Sequence, residues 1–442
     1  MQGIADIVAR LDQFFWGLPL IVLLFGTHIY LTIRLRFPQR YIFKAIKLSF
    51  TRDEGAEGEV SQFGALTTAL AATIGTGNIV GVATAVAIGG PGAVLWLWLT
   101  GVFGIATKYA EGLLAVKYRV KTPAGAMAGG PMYVLERGLG KRWLGLLFAL
   151  FTAVAAFGIG CMVQANSIST LAASTFQVPT WVTGLFLALL TAVVILGGIK
   201  SIARVCEILV PFMALFYIIG CLYILVLHHA TLPQTVRLIL HSAFDGHAAA
   251  GGFAGATIMM ALRYGVARGL FSNESGLGSA PIVAAAAKTR NPVRQALVSS
   301  TGTFWDTVVV CLMTGLVLVN SGEWTSGANG ADLTRSAFAY IPVIGPIVLT
   351  IGLLTFVFST ILGWSYYGEK AIEYLVGVKA VLPYRILWCI VVFLGSVFSL
   401  QFVWDFADLA NGLMAIPNII ALLALSGILV RETRAYLWDE QL

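Results

Sequence analysis

Charge is what this sequence has least of. Only 11% of its 442 residues are Asp, Glu, Lys or Arg, against 58% hydrophobic residues and a mean hydropathy of +0.86. A water-soluble domain carries roughly a quarter of its residues as charges. The length alone would allow two or three soluble domains, but the composition excludes them and leaves a polytopic membrane protein. Cysteine is also scarce: Cys161, Cys206, Cys221, Cys311 and Cys389 stand singly in apolar runs without Cys-x-x-Cys spacing, and read as buried small hydrophobes. The histidines His228, His229, His241 and His247 fall at span ends or in loops, and only His28 falls within a span. None of the five is spaced with Ser, Cys or an acid as a metal site or catalytic triad requires. No Gly-x-x-x-x-Gly-Lys loop is present, so nothing points to ATP drive. The expectation is a protein that is not an enzyme and has no cofactor. Asp6 and Asp12 near the start, followed by further apolar runs, argue against a cleavable signal peptide.

What the sequence does have is apolar stretches. About eleven of spanning length are predicted, near 15–35, 62–89, 92–117, 143–172, 180–198, 203–228, 251–286, 294–319, 343–367, 384–403 and 406–430. Basic residues collect on alternate connections. Arg34, Arg36, Arg40, Lys44, Lys47 and Arg52 crowd the first, and Lys117, Arg119, Lys121, Arg137, Lys141 and Arg142 crowd the third. The same side gathers Lys200, Arg204, Lys288, Arg290, Arg294, Lys370, Lys379, Arg385, Arg431 and Arg434, leaving little but Arg10, Arg237 and Arg335 opposite. Positive charge marks the cytoplasmic face, so the N-terminus is expected outside and the C-terminus in the cytoplasm of a plasma membrane, the inner membrane of a bacterium. The net charge of +7 is then topological and implies no nucleic-acid partner, and no obligate protein partner is evident.

Two of the apolar stretches carry the same kind of small, polar, glycine-bearing interruption. One reads Ala72-Thr73-Ile74-Gly75-Thr76-Gly77-Asn78-Ile79-Val80-Gly81, the other Gly269-Leu270-Phe271-Ser272-Asn273-Glu274-Ser275-Gly276-Leu277-Gly278. Asn78 and Gly81 map onto Asn273 and Gly276 at one offset, which suggests an internal repeat. With the first span set aside, ten remain and each interrupted one opens a group of five. Five is odd, so the second group enters from the opposite side, giving the inverted repeat that alternating access uses. The predicted organisation is a peripheral span and basic loop (1–61), a first five-helix repeat (62–230), an outer connection (231–250), a second repeat (251–430) and a cytoplasmic tail (431–442). Residues 232–244 and 331–340 suit short helices over the outer mouth.

An interrupted helix offers free amides and free carbonyls. The amides around Thr76, Gly77 and Asn78 suit a carboxylate, and the carbonyls of Ala71 and Ile74 suit a small hard cation or an ammonium. Glycines in membrane helices also serve plain close packing. Ser359 and Thr360, adjacent in an apolar run, are candidates to complete a cation shell, although such hydroxyls often bond back to their own helix. Gln164, the amide chosen from the polar set Gln164, Asn166 and Ser167, is expected to touch substrate. Trp364, one turn beyond Thr360, is expected to wall the site or to pack. Among charges inside the spans, Lys108 and Glu111 are expected to neutralise each other. Arg268 and Glu274 are expected to pair and gate the site, with cation or proton handling by Glu274 as the alternative.

Three stretches resemble the alanine or glycine:cation symporter family: Gly75-Thr76-Gly77-Asn78-Ile79-Val80-Gly81, Gly89-Gly90-Pro91-Gly92-Ala93-Val94-Leu95-Trp96-Leu97-Trp98, and Arg268 through Pro281. The likeness runs from Gln62 over nearly the whole chain. In the second stretch Leu95 and Leu97 stand where the family usually has Phe and Met. The resemblance implies an all-α membrane protein with the 5+5 inverted repeat of bacterial leucine transporters and two broken helices. It implies sodium- or proton-coupled uptake of alanine, glycine or a similar small neutral amino acid, and symport with Na+ is the expectation. It places the carboxylate amides at Thr76 and Gly77, the cation ligands at the Ala71, Ile74 and Phe356 carbonyls with the Ser359 and Thr360 hydroxyls, and Ser272, Asn273 and Gly276 on the far wall of the pocket. Proton coupling or exchange through Glu274 or Asp306 is the rival within the class. A channel lacks a continuous polar pore, and a membrane enzyme lacks a reactive constellation.

Overall fold

The computed structural model describes residues 18–53, 55–122, 125–244, 258–328, 330–398 and 400–439. Arg10, His247 and the beginnings of the first and seventh predicted spans lie outside them. The described chain is helical apart from a two-residue hairpin, Val120–Lys121 with Met127–Ala128. In chain order the main helices are α1 (Leu18–Arg34), α2 (Ile42–Ser49), α3 (Gln62–Thr73), α4 (Val80–Gly89), α5 (Ala93–Lys117), α6 (Arg142–Ala155), α7 (Val163–Phe176), α8 (Thr180–Ile195), α9 (Gly198–Leu227) and α10 (Leu232–Ser242). They continue as α11 (Ile258–Asn273), α12 (Pro281–Ala284), α13 (Pro292–Thr303), α14 (Leu312–Asn320), α15 (Gly330–Ala339), α16 (Ile344–Val376), α17 (Val381–Gly395), α18 (Leu400–Ala424) and α19 (Ser426–Thr433).

Each predicted span coincides with a helix or a broken helix. Among the described residues six helices are long and apolar enough to cross a membrane, and up to nine when each bent pair is taken as one span. α8 is apolar but shorter, and α11 ends at the second interruption. The outward faces of α8 and α9 carry Phe186, Leu189, Val193, Ile208 and Leu215, each at least 60% exposed, as a lipid-facing surface requires. Residues 232–242 and 330–339, in the connections expected over the outer mouth, fold as the short helices α10 and α15.

Local chemistry sets several boundaries. Ser61 caps α3 by accepting the Gly64 N–H at 2.8 Å, and Asn291 caps α13 through the Val293 N–H at 2.8 Å with Pro292 at the first helical position. Two π-helical segments, Ala156–Met162 between α6 and α7 and Phe304–Cys311 between α13 and α14, bulge long spans; the first offers Ile159 O to the Gln164 side chain and the second buries Asp306 and Thr307. α5 packs on α11 and α13, while α16 packs on α3, α6 and α9. The α16 to α3 crossing is close because Gly363 faces Ala72: a Cβ there would meet Ala72 atoms at 2.7–2.9 Å. That crossing brings the hydroxyls of α16 to the end of α3.

Candidate functional site

The first break follows from its residues. α3 stops at Thr73, Ile74 is extended with ψ 93°, and one 3-10 turn, Thr76–Asn78, precedes α4. Gly75 and Gly77 weaken the helix, and the Asn78 side chain competes for the backbone by accepting the Gly75 N–H at 2.9 Å. Gln164 meets the break from across the bundle. Its Oε1 accepts the Thr76 N–H at 3.2 Å while its Nε2 donates to Ile159 O in the π segment at 2.9 Å. The Thr76 hydroxyl is buried without a partner. Gly77 faces the second broken helix, where an added Cβ would lie 3.2 Å from Ser272 Cα.

Below the break five oxygens converge. Thr360 Oγ1 lies within hydrogen-bonding distance of Ala71 O (3.0 Å), Ile74 O (3.2 Å) and Phe356 O (3.0 Å), and Ser359 Oγ of Ala71 O (3.3 Å) and Phe356 O (2.8 Å). All five residues are fully buried or nearly so. A neutral cage of carbonyl and hydroxyl oxygens, without thiolate or imidazole, has the hard-donor chemistry that suits an alkali cation. A Cβ on Gly75 would sit 2.6 Å from Thr360 Oγ1, so the cage and the break are in contact.

The second break opens after Asn273 with Glu274 at φ +54°, a left-handed conformation uncommon for a residue with a side chain. The fully buried Glu274 carboxylate accepts the Trp364 indole N–H at 2.9 Å and the Ser279 hydroxyl. This corrects the expected pairing with Arg268, whose guanidinium lies 5.7 Å from the centre of the Phe271 ring. Trp364 is fully buried, packs edge-on to Tyr367 and lies against Gly160, where a Cβ would come 2.1 Å from Trp364 Cβ.

Ser272 reaches the first break through Asp306. The Asp306 carboxylate accepts from Asn78 Nδ2 (2.7 Å), Ser272 Oγ (3.1 Å) and Thr307 Oγ1 (2.6 Å), so one acid in the π segment ties the two broken helices together. Asn273 and Gly276 stand differently from expectation. Asn273 accepts the Ser275 N–H and donates to Thr100 on α5. Gly276, at φ +89°, donates its N–H to Glu111 and accepts from Asn418 Nδ2 at its carbonyl, with Leu24 of α1 against its Cα. Both are engaged by the surrounding scaffold rather than turned to the first break.

Lys108 and Glu111 do not pair either. Glu111 Oε1 accepts from Gly276 N (3.1 Å), Gly278 N (3.0 Å) and Asn418 Nδ2 (2.7 Å), while Lys108 Nζ is buried without a hydrogen-bond partner. The amides freed by the second break need an acceptor, and Glu111 supplies it. Sequence reasoning missed the roles of Glu111 and Asn418. The signal for Asn418 is a lone amide in an apolar run, and that for Glu111 is an intramembrane acid.

The model of the sodium:alanine symporter family matches residues 1–441. The sodium/alanine symporter AgcS of Methanococcus maripaludis is 53% identical over 98% of this chain and 97% of its own. A transporter of Haemophilus influenzae is 54% identical over 98% and 96%. Among solved structures, MhsT in complex with L-phenylalanine superposes with a TM-score of 0.60 at 18% identity, covering 84% of this chain and 90% of that one. The architecture is therefore the broken-helix fold of bacterial leucine transporters, as the sequence led one to expect.

Proposed function

Because this chain belongs to the sodium:alanine symporter family and is a multi-pass membrane transporter, we propose that it imports alanine or glycine with Na+ across the plasma membrane by alternating access. The observation that carries the proposal is the juxtaposition of the first break with the five-oxygen cage: Gly75 and Thr76 touch Thr360 and Gln164. The amides of Thr76 and Gly77, with Gln164 and the Thr76 hydroxyl, receive the substrate carboxylate. Sodium sits among the Ala71, Ile74 and Phe356 carbonyls and the Ser359 and Thr360 hydroxyls. Ser272 and Trp364 bound the side-chain end, while Asn78, Asn273, Gly276 and Glu274 hold the two breaks in shape.

Each ligand stabilises the break that the other uses, so binding is coupled in both directions. An inward sodium gradient then drives uptake. At about −100 mV one positive charge contributes about 2.3 kcal/mol before any concentration gradient is added. The basic loops belong in the cytoplasm on this reading, with the C-terminus. The test is binding of labelled alanine to the purified protein titrated with sodium chloride against potassium chloride. Sodium should raise alanine affinity at least tenfold; equal affinity in both salts contradicts the coupling.

Proton coupling is the second reading, favoured by three buried acids, Glu111, Glu274 and Asp306, against the single buried Lys108 of the same region. Alanine uptake driven by a pH step in sodium-free vesicles would support it in place of sodium.

A further inference from the structure

The face of α2 that points away from the protein carries a pattern that transport does not use. α1 ends at Arg34, the chain passes through left-handed Arg36 and Phe37, and the segment Pro38–Ser49 leaves at 67° to α1. A short helix turned this far from the span before it, with Arg40, Lys44 and Lys47 exposed on it, fits a helix lying along the membrane surface. Between Asp12 and Asp53 the sequence has no acidic residue.

Successive residues of a helix turn by about 100°, and this divides α2 into three arcs. Ile42, Ala45 and Ser49 form the first and are buried against α13 and α3. Phe43 and Phe50 form the second, 81% and 71% exposed. Lys44, Lys47 and Arg40 of the leading turn form the third, all exposed. Neither lysine has an ion-pair partner among the described residues. Large apolar rings beside unpaired cations, with no acid between them, are complementary to the boundary where acyl chains meet negatively charged headgroups.

The strap after α2 leads straight to the first broken helix. Arg294 donates to Thr51 Oγ1 (2.8 Å) and to Gln62 Oε1 (3.0 Å), and the Arg290 N–H donates to Asp53 Oδ2 (2.9 Å), so Thr51, Asp53 and Gln62 are stitched to the start of the eighth span. Any ligand that fixes α2 fixes the entry to α3.

We propose that α2 is a docking surface for anionic phospholipid headgroups, which bind Arg40, Lys44 and Lys47 and anchor the strap that leads into the first broken helix. The inference depends on the chain lying in a membrane and not on which solute it carries. A headgroup charge is worth about fivefold in affinity for each basic residue at the surface.

The experiment is native mass spectrometry of the detergent-solubilised full chain titrated with phosphatidylglycerol or phosphatidylcholine. It compares wild type with the combined Arg40→Gln, Lys44→Gln, Lys47→Gln variant. A second variant, Lys141→Gln, Lys200→Gln, Lys379→Gln, removes the same charge at scattered exposed sites. Expected are preferential phosphatidylglycerol adducts on wild type, at least a tenfold loss in the α2 variant, and less than a twofold change in the scattered one. Equal retention by all three proteins, equal loss in both variants, or displacement of the lipid by millimolar inorganic phosphate overturns the docking surface. Initial uptake rates in phosphatidylglycerol against phosphatidylcholine vesicles test the anchor. Wild type should be faster in the anionic lipid and the α2 variant indifferent, and a wild type indifferent to lipid refutes the anchoring.

Discussion

The indole N–H of Trp364 donates to the Glu274 carboxylate over 2.9 Å, so a side chain of the long helix α16 is held by one set in the break of the second broken helix. Glu274 adopts a left-handed backbone to do so, at a cost of about 1–2 kcal/mol. On the proposed reading the pair fixes the wall that limits the size of the substrate side chain. Glu274→Ala should release Trp364 and narrow the preference for alanine over larger neutral amino acids by about tenfold in competition uptake. Glu274→Gln keeps an acceptor and should keep the preference. Unchanged selectivity in the alanine variant would remove Glu274 from this role.

Gly160 faces the same tryptophan without room for a methyl group. Gly160→Ala should push Trp364 into the pocket and reduce alanine affinity more than sodium affinity, by roughly 1–3 kcal/mol as overpacking does. Equal losses for both ligands would place the clash outside the substrate site.

Thr360 Oγ1 contacts three of the carbonyls in the oxygen cage. Thr360→Ala should raise the sodium concentration for half-maximal uptake about tenfold, the order expected for one lost polar contact at a cation, while Thr360→Ser should change it little. An unaltered sodium dependence in the alanine variant would take the hydroxyl out of the shell.

Asp306 accepts from both broken helices, through Asn78 and Ser272. Asp306→Ala leaves Asn78 Nδ2 with only the backbone carbonyl of residue 306 and Cys311 Sγ, and Ser272 Oγ with Cys311 Sγ, in place of the carboxylate, and should lower transport by roughly 10- to 100-fold. Asp306→Asn retains one carbonyl oxygen and should recover part of it. If Asn is as damaging as Ala while both variants fold, the charge itself matters, and a proton or cation at Asp306 replaces the positioning role.

The fold was legible because apolar run length and basic-loop alternation are set by the bilayer, and each predicted span holds a helix. The first break was legible for a similar reason: Gly75, Gly77 and Asn78 act locally, and Asn78 bonds Gly75 three residues away. The second was harder. Asn273 matches Asn78 at the repeat offset, yet it closes α11 and bonds forward to Ser275 and across to Thr100. The partners of Glu111 and Glu274 are separated from them by 90 residues or more, except Ser279, and pairing by local spacing chose Lys108 and Arg268 instead. Spacing along one helix finds neighbours on that helix; it does not find amides released by a break in another.

The central claim is that sodium drives alanine into this transporter, and it is tested most directly in proteoliposomes. Labelled alanine uptake is measured under an imposed inward sodium gradient, with an equal potassium gradient as control. The account predicts accumulation above the external concentration with sodium and simple equilibration with potassium. Accumulation of the same size in both salts, or none in either, contradicts it.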